Sequence, residues 1–248
     1  MQLRCNIAGR DYHANLSEGI DISQGFGPGG DNAAAFHIDS ARIEPIRVGD
    51  FVGSVTLGSG ANCEVVTFCA HGNGTHTECL GHITAERHAV HRLIGAGFYT
   101  ALLKTVKPKQ REDDYVIGLD QFEDLNNRHT DAIILRTEWP MAKRGANWSG
   151  KNPPYYEPAV LTKLADLGFV HFLTDLPSVD REEDGGALSS HHRWWKVPEA
   201  PRTHAGITEL IVVPDDIPDG LYAMNLQFPP IESDAAPSRP VLYRLIPA

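Results

Sequence analysis

Glu157-Pro158-Ala159-Val160-Leu161-Thr162-Lys163-Leu164-Ala165-Asp166-Leu167-Gly168 runs directly into Phe169-Val170-His171-Phe172-Leu173. Pro158 suits the first turn of a helix, where its missing N–H leaves nothing unpaired. Val160, Leu161, Leu164 and Leu167 then recur at helical spacing, and Gly168 suits the stop. Phe169–Leu173 is a short apolar run, and upstream Ala132-Ile133-Ile134-Leu135 is another. Such runs suit strands buried on both faces. A strand–helix–strand unit favours an α/β fold. Further strands are expected at Cys63–Cys69, which holds Val65, Val66 and Phe68, at Ile207–Val213 and at Leu221–Leu226. Gly25-Phe26-Gly27-Pro28-Gly29-Gly30 reads as a loop, as do Lys151-Asn152-Pro153-Pro154 and the prolines at 198 and 201. No repeat or composition break divides the chain, so a single domain over residues 1–248 is expected.

A chain of 248 residues can bury a sizeable core. Its formal net charge of −10 repels phosphate backbones and anionic lipid, so neither nucleic acid nor a membrane surface is expected as a partner. No apolar run is long enough to span a bilayer. Met1-Gln2-Leu3-Arg4-Cys5 begins no hydrophobic leader, and a cytoplasmic location is expected. Cys5, Cys63, Cys69 and Cys79 form no Cys-x-x-Cys pair, so a zinc ribbon is not indicated and reduced thiols are expected.

The chemistry concentrates in His71-Gly72-Asn73-Gly74-Thr75-His76-Thr77-Glu78-Cys79-Leu80-Gly81-His82. Imidazole and carboxylate are the usual nitrogen and oxygen ligands of zinc and related divalent ions. His76 and Glu78 are two apart, so on an extended chain both point to one side, and His82 keeps that parity. Gly72 and Gly74 allow close backbone approach or positive φ. Thr75 can fix a ligand's orientation by hydrogen bonding. The bland alternative is a glycine-rich surface loop with incidental histidines.

This segment resembles the signature of the metal-dependent cyclase family, which includes bacterial kynurenine formamidase and isatin hydrolase. That signature reads His-x-Gly-Thr-His-x-Asp-x-Pro-x-His. Gly74, Thr75, His76 and His82 match it; Glu78 stands for Asp, Leu80 for Pro, and Gly72 for the first His, with His71 one residue earlier. A bulge would be needed to bring His71 inward. Ile133–Thr137, Trp148 and Thr174-Asp175-Leu176-Pro177-Ser178-Val179-Asp180 follow the family's order. The resemblance implies a mixed β-sheet with flanking helices in a swivelling β/α/β arrangement. It implies a site completed by His191 (or His192) and Glu209, with an apparent insertion around Pro198 and Pro201. It also implies one or two ions of zinc or manganese and a homodimer or homotetramer.

The implied activity is hydrolysis of an amide-type carbon–nitrogen bond in a small molecule, a formamide or cyclic amide. His71, His76, Glu78, His191 and Glu209 would hold the cation, which lowers the pKa of a water to about 7, and His82 would shuttle the proton. Three competing readings share these residues: a lyase or cyclase, a non-catalytic metal- or ligand-binding protein, and a structural metal site that includes Cys79. Asp175 and Asp180 read equally as ligand-orienting groups or as solvated turn carboxylates. Trp194 and Trp195 read equally as a pocket wall or as core. Phe26 reads as a half-buried loop anchor, and His88 and His91 as structural residues on a helix.

Overall fold

In a computed structural model, residues 1–27, 32–126 and 129–248 are described. Pro28, Gly29 and Gly30 of the glycine-rich loop lie outside them. A nine-stranded sheet organises the chain. In spatial order its strands are Ala235–Pro237, His76–Glu78, Gly206–Glu209, His171–Thr174, Ala132–Thr137, Gly97–Val106, Gly220–Leu226, Val241–Arg244 and Ile20–Asp21. The four strands from Gly206–Glu209 to Gly97–Val106 are mutually parallel, and both flanks add antiparallel strands. This is the mixed-sheet α/β single domain expected.

The helix Pro158–Asp166 links the two central strands as its sequence requires. Pro158 stands in the first turn; Val160, Leu161, Leu164 and Ala165 are buried. Gly168 takes φ +90°, a conformation glycine adopts without strain. The strand Ala132–Thr137 is buried on both faces because each face has its own cover. Ile133 and Leu135 join the layer of Val160, Leu161, Leu164, Phe172, Trp194 and Trp195. Ala132 and Ile134 face Ile22, Leu173, Ile211, Met224 and Leu242. Each fully buried branched or aromatic side chain here is worth about 1.5–3 kcal/mol relative to exposure.

Three expectations need correction, and two open alternatives are decided. The strand in Cys63–Cys69 covers only Glu64–Thr67, pairs with Arg42–Pro45 in a separate two-stranded ribbon and is exposed throughout. Val65 and Val66 are adjacent and so point to opposite faces; among the described residues no second layer covers either, and they are 48% and 47% exposed. The strand expected at Ile207–Val213 ends at Glu209, since Leu210 turns to φ +56° and leaves extended geometry. His88 lies outside the one-turn helix Val90–Leu93, which does hold His91. Asp175 and Asp180 are not solvated; both are buried. Trp194 and Trp195 are fully buried core. Trp195 donates its indole N–H to the Ala205 carbonyl, and Trp194 lies against Phe172 and the Arg202 guanidinium.

Candidate metal centre

Strand register gathers the site from both halves of the chain. His76–Glu78 pairs antiparallel with Gly206–Glu209, placing Glu209 directly opposite His76. Opposed residues share a face, as do residues two apart, so His76, Glu78 and Glu209 project together. Thr77 and Thr208 project to the other face and join hydroxyls at 2.8 Å. Thr75 anchors the strand's entry by donating to the Leu210 carbonyl at 2.6 Å and accepting from the Gln24 N–H at 2.8 Å. Gly74, at φ +144°, makes the turn before His76, where a Cβ would come within 2.9 Å of the Gln24 carbonyl oxygen.

His191 comes from the short helix Ser189–Trp195. Asp180 sets that helix's first turn: its carboxylate accepts the N–H groups of Ser190 at 2.7 Å and His191 at 3.1 Å. The same carboxylate is 2.7 Å from His191 Nδ1, which leaves Nε2 facing Glu78 Oε1 at 3.2 Å and Glu209 Oε1 at 4.0 Å. His192 turns away to the Val197 carbonyl and lines a different groove. The structure therefore brings His191, and not its neighbour, to Glu78 and Glu209.

His71 also reaches the cluster, though through no β-bulge. The 3-10 turn Ala70–Gly72 brings its ring to His76, edge-on at 5.2 Å, with Nδ1 at 3.1 Å from Glu78 Oε2. His82 lies on a second 3-10 turn, Leu80–His82, with Nδ1 at 3.9 Å from Glu78 Oε2 and its ring 5.3 Å from that of His191. Cys79 is excluded: its thiol is buried against the His88 carbonyl at 3.8 Å. His88 Nε2 lies 3.7 Å from Glu86 and His91 Nε2 lies 3.4 Å from Glu232, away from the cluster.

The polar atoms of this cluster are the strongest sign of what it holds. Both carboxylate oxygens of Glu78, His76 Nε2 and His191 Nε2 are buried and make no hydrogen bond. Their 3.1–3.4 Å contacts are close enough for ion pairing but are not aligned for N–H donation. Leaving a buried polar atom unpaired costs about 1–3 kcal/mol, and more for a charge. The opposite edge of each ligand-type imidazole is tied: His76 Nδ1 to the Gly74 carbonyl at 3.1 Å, His191 Nδ1 to Asp180. That pattern, one nitrogen fixed by an acceptor and the other bare, is how histidine is presented to a metal ion. The groups His71–His76–Glu78, Glu78–His82–His191 and His71–His82–Asp234 each place ligand atoms within 4.8 Å of one another. The residues thus fit a divalent cation, with Glu78 common to the first two groups.

Charges respond accordingly. Burial opposes protonation of His71 and His191, yet the hydrogen bond to Asp234 with the charge of Glu78, and the hydrogen bond to Asp180 with the charges of Glu78 and Glu209, push them up to about 11 and about 10. Burial works against the Glu78 anion too, but the surrounding imidazoles hold its carboxyl well below the usual range. A cation taking these nitrogens would release protons as it binds.

Asp234 is the carboxylate that the sequence did not reveal. Its Oδ2 lies 2.8 Å from His71 Nε2 and 3.5 Å from His82 Nδ1. It stands just before the edge strand Ala235–Pro237, far from the histidine segment and in no ligand-like spacing. A cavity of about 360 Å³ opens onto the cluster, with Phe36, Ile38 and Leu188 among its lining and Ser178 and Arg181 as polar contacts. A larger groove of about 670 Å³ runs beside His192 and Lys196, but its lining holds none of the unpartnered buried atoms. Phe26 stacks on Phe68 at 5.1 Å, as a loop anchor would.

A family model described as "Putative cyclase" matches residues 20–181. That span includes His71, His76, Glu78 and His82 and stops short of His191, Glu209 and Asp234. No curated protein matches the sequence. Among solved structures, one titled as a predicted metal-dependent hydrolase from Bacillus stearothermophilus is 16% identical, covers 91% of this chain and 98% of its own, and has a TM-score of 0.60. Isatin hydrolase A from Labrenzia aggregata is 14% identical over 93% of this chain and 94% of its own, at 0.63. An isatin hydrolase bound to the product analogue thioisatinate is 15% identical over 93% of each chain, at 0.59. At such identities the likeness establishes the shared fold; the chemistry must be argued from the residues. No helix among the described residues is long and apolar enough to cross a membrane.

Proposed function

This chain belongs to the cyclase family, and from that premise we propose that it is a metal-dependent hydrolase cleaving the carbon–nitrogen bond of a small amide, a formamide or a cyclic amide. The observation that carries the proposal is the set of bare buried atoms on His76, Glu78 and His191. His71, His76, Glu78, His191 and Glu209 would hold one or two ions, and zinc and manganese both accept such a mixed nitrogen and oxygen set. When bound, a divalent ion supplies Lewis acidity, polarising a carbonyl and making water acidic enough to attack near neutral pH.

The chain's own residues do the rest. Glu209 receives the Val179 N–H at 3.1 Å, which fixes its carboxylate beside His76. Phe36, Ile38 and Leu188 give the cavity an apolar wall that excludes water from one side of a bound substrate. His82, which lines the same cavity and is less tightly enclosed than His76 or His191, exchanges protons, first as base for water and then as acid for the leaving nitrogen. The proposal extends to a homodimer or homotetramer, which sedimentation at micromolar concentration tests; a monomer there refutes that part.

The central test is a screen of formamides, lactams and lactones with zinc or manganese restored, in oxygen-18 water. Hydrolysis places solvent oxygen in the product; turnover without it points to a lyase or cyclase instead. His82→Ala should retain the cation and lose about 10²–10⁴-fold in turnover. If that variant loses the cation, the proton-shuttle role is wrong.

A further inference from the structure

We propose that Asp234 is a positioning residue that holds two imidazoles of the site at once: the ligand-type His71 and the proton-exchanging His82. The inference rests on the function proposed above and assigns a residue which that reading left idle. A single oxygen, Oδ2, lies 2.8 Å from His71 Nε2 and 3.5 Å from His82 Nδ1. The carboxylate is itself pinned. Its Oδ1 accepts the Ser233 hydroxyl at 3.1 Å. The Asp234 carbonyl accepts the Cys79 N–H at 3.0 Å, which ties the residue to the start of the turn carrying His82. The Ser233 carbonyl in turn accepts the Val90 N–H at 2.8 Å.

The His71 and His82 rings lie 4.3 Å apart at 30°, close to parallel. His71, His82 and Asp234 also place ligand atoms within 4.8 Å of one another, so direct cation binding by Asp234 is the competing role that the test separates from positioning.

Two consequences follow for the chemistry. With Nε2 of His71 donating to Asp234, its Nδ1 is turned toward Glu78 at 3.1 Å, so the imidazole displaced by one position in the signature is still aimed into the cluster. His82 Nδ1 faces the same oxygen across 3.5 Å, a contact that favours a proton on Nδ1 and leaves Nε2 to exchange protons. Glu78 is the more distant alternative for His82, at 3.9 Å.

The test uses the full-length chain with Asp234→Asn, which preserves size, and Asp234→Glu, which preserves charge. Nitrogen-15 NMR of the histidine rings reads the tautomer of neutral His82 in cation-free protein. Calorimetric titration with manganese and zinc reads affinity, and steady-state kinetics on the best substrate reads kcat and KM separately. The expected result is an Nδ1–H tautomer in the parent that Asp234→Asn loses. Cation affinity should fall about 10–100-fold, and at saturating cation kcat should fall by a similar factor with KM nearly unchanged. Asp234→Glu should recover part of each. An unchanged tautomer with unchanged affinity would overturn the proposal, and so would complete loss of cation binding in Asp234→Asn, which would make Asp234 a ligand. If the parent binds no cation, the proposed hydrolase fails, while the tautomer measurement still decides the contact between Asp234 and His82.

Discussion

Glu78→Gln keeps the side chain's size and removes one negative charge from the middle of the cluster. In the parent, Oε2 lies 3.1 Å from His71 Nδ1, and Oε1 lies 3.2 Å from His191 Nε2. Glu78 is fully enclosed, so water cannot replace what is lost. Removing one member of a buried ion pair costs about 3–5 kcal/mol, mostly because the partner charge is left uncompensated. For a domain of this size each kcal/mol shifts the melting temperature by about 2–4 °C, so the cation-free variant should melt about 6–20 °C lower. The sign with pH follows from the imidazoles. Both are held above their ordinary 6.5, up to about 11 and about 10, so their stabilising contribution is complete below pH 6.5 and is lost as pH rises through 10 to 11. The penalty of the substitution should therefore be large at pH 7 and fade above pH 10. The same 3–5 kcal/mol expressed as binding is about a 10²–10³-fold or greater loss of cation affinity. Scanning calorimetry with and without chelator, and titration with manganese or zinc, give both quantities. A variant that melts with the parent and binds cation as tightly would refute the reasoning.

Asp180→Asn keeps one acceptor oxygen for either the Ser190 or the His191 N–H, which the parent takes on Oδ1 and Oδ2 separately, and loses the charge beside His191 Nδ1. Cation affinity should fall about 10–100-fold by calorimetry with the helix intact by circular dichroism. Asp175 is a different case: burial pushes its carboxyl up to about 7 from 3.8. The neutral acid therefore contributes stability below pH 3.8 that is lost as pH rises through 7. Asp175→Asn should remove this dependence. Urea unfolding should find it more stable than the parent at pH 8, on the order of 4 kcal/mol, with the two converging near pH 4.

Much of this architecture can be read from the chain because local and tertiary signals agree. Val160, Leu161 and Leu164 repeat at helical spacing and do bury one face, and Ile133-Ile134-Leu135 is apolar on both sides because both sides are covered. His76 and Glu78 are legible as a pair because strand alternation alone puts them together. Where burial depends on a distant layer, the signal fails. Val65 and Val66 look like a core strand and are exposed, since nothing in their own sequence says that no sheet covers them. His191 and His192 are adjacent on a helix and point about 100° apart; which one faces inward is set by Asp180, through contacts made across the fold. Asp234 meets His71 across a sequence separation of 163 residues, which no spacing rule could anticipate.

Anomalous diffraction from crystals of the chain, stripped by chelator and reloaded with zinc or manganese, tests the central claim most directly. The account predicts density against the Glu78 carboxylate, shared with His71 and His76 on one side, with His191 on the other, or on both, at about 2.0–2.2 Å from the nearest ligand atoms, with part of its coordination left to solvent. An empty map between these side chains at saturating ion, or a peak confined to His88 and His91, would contradict it.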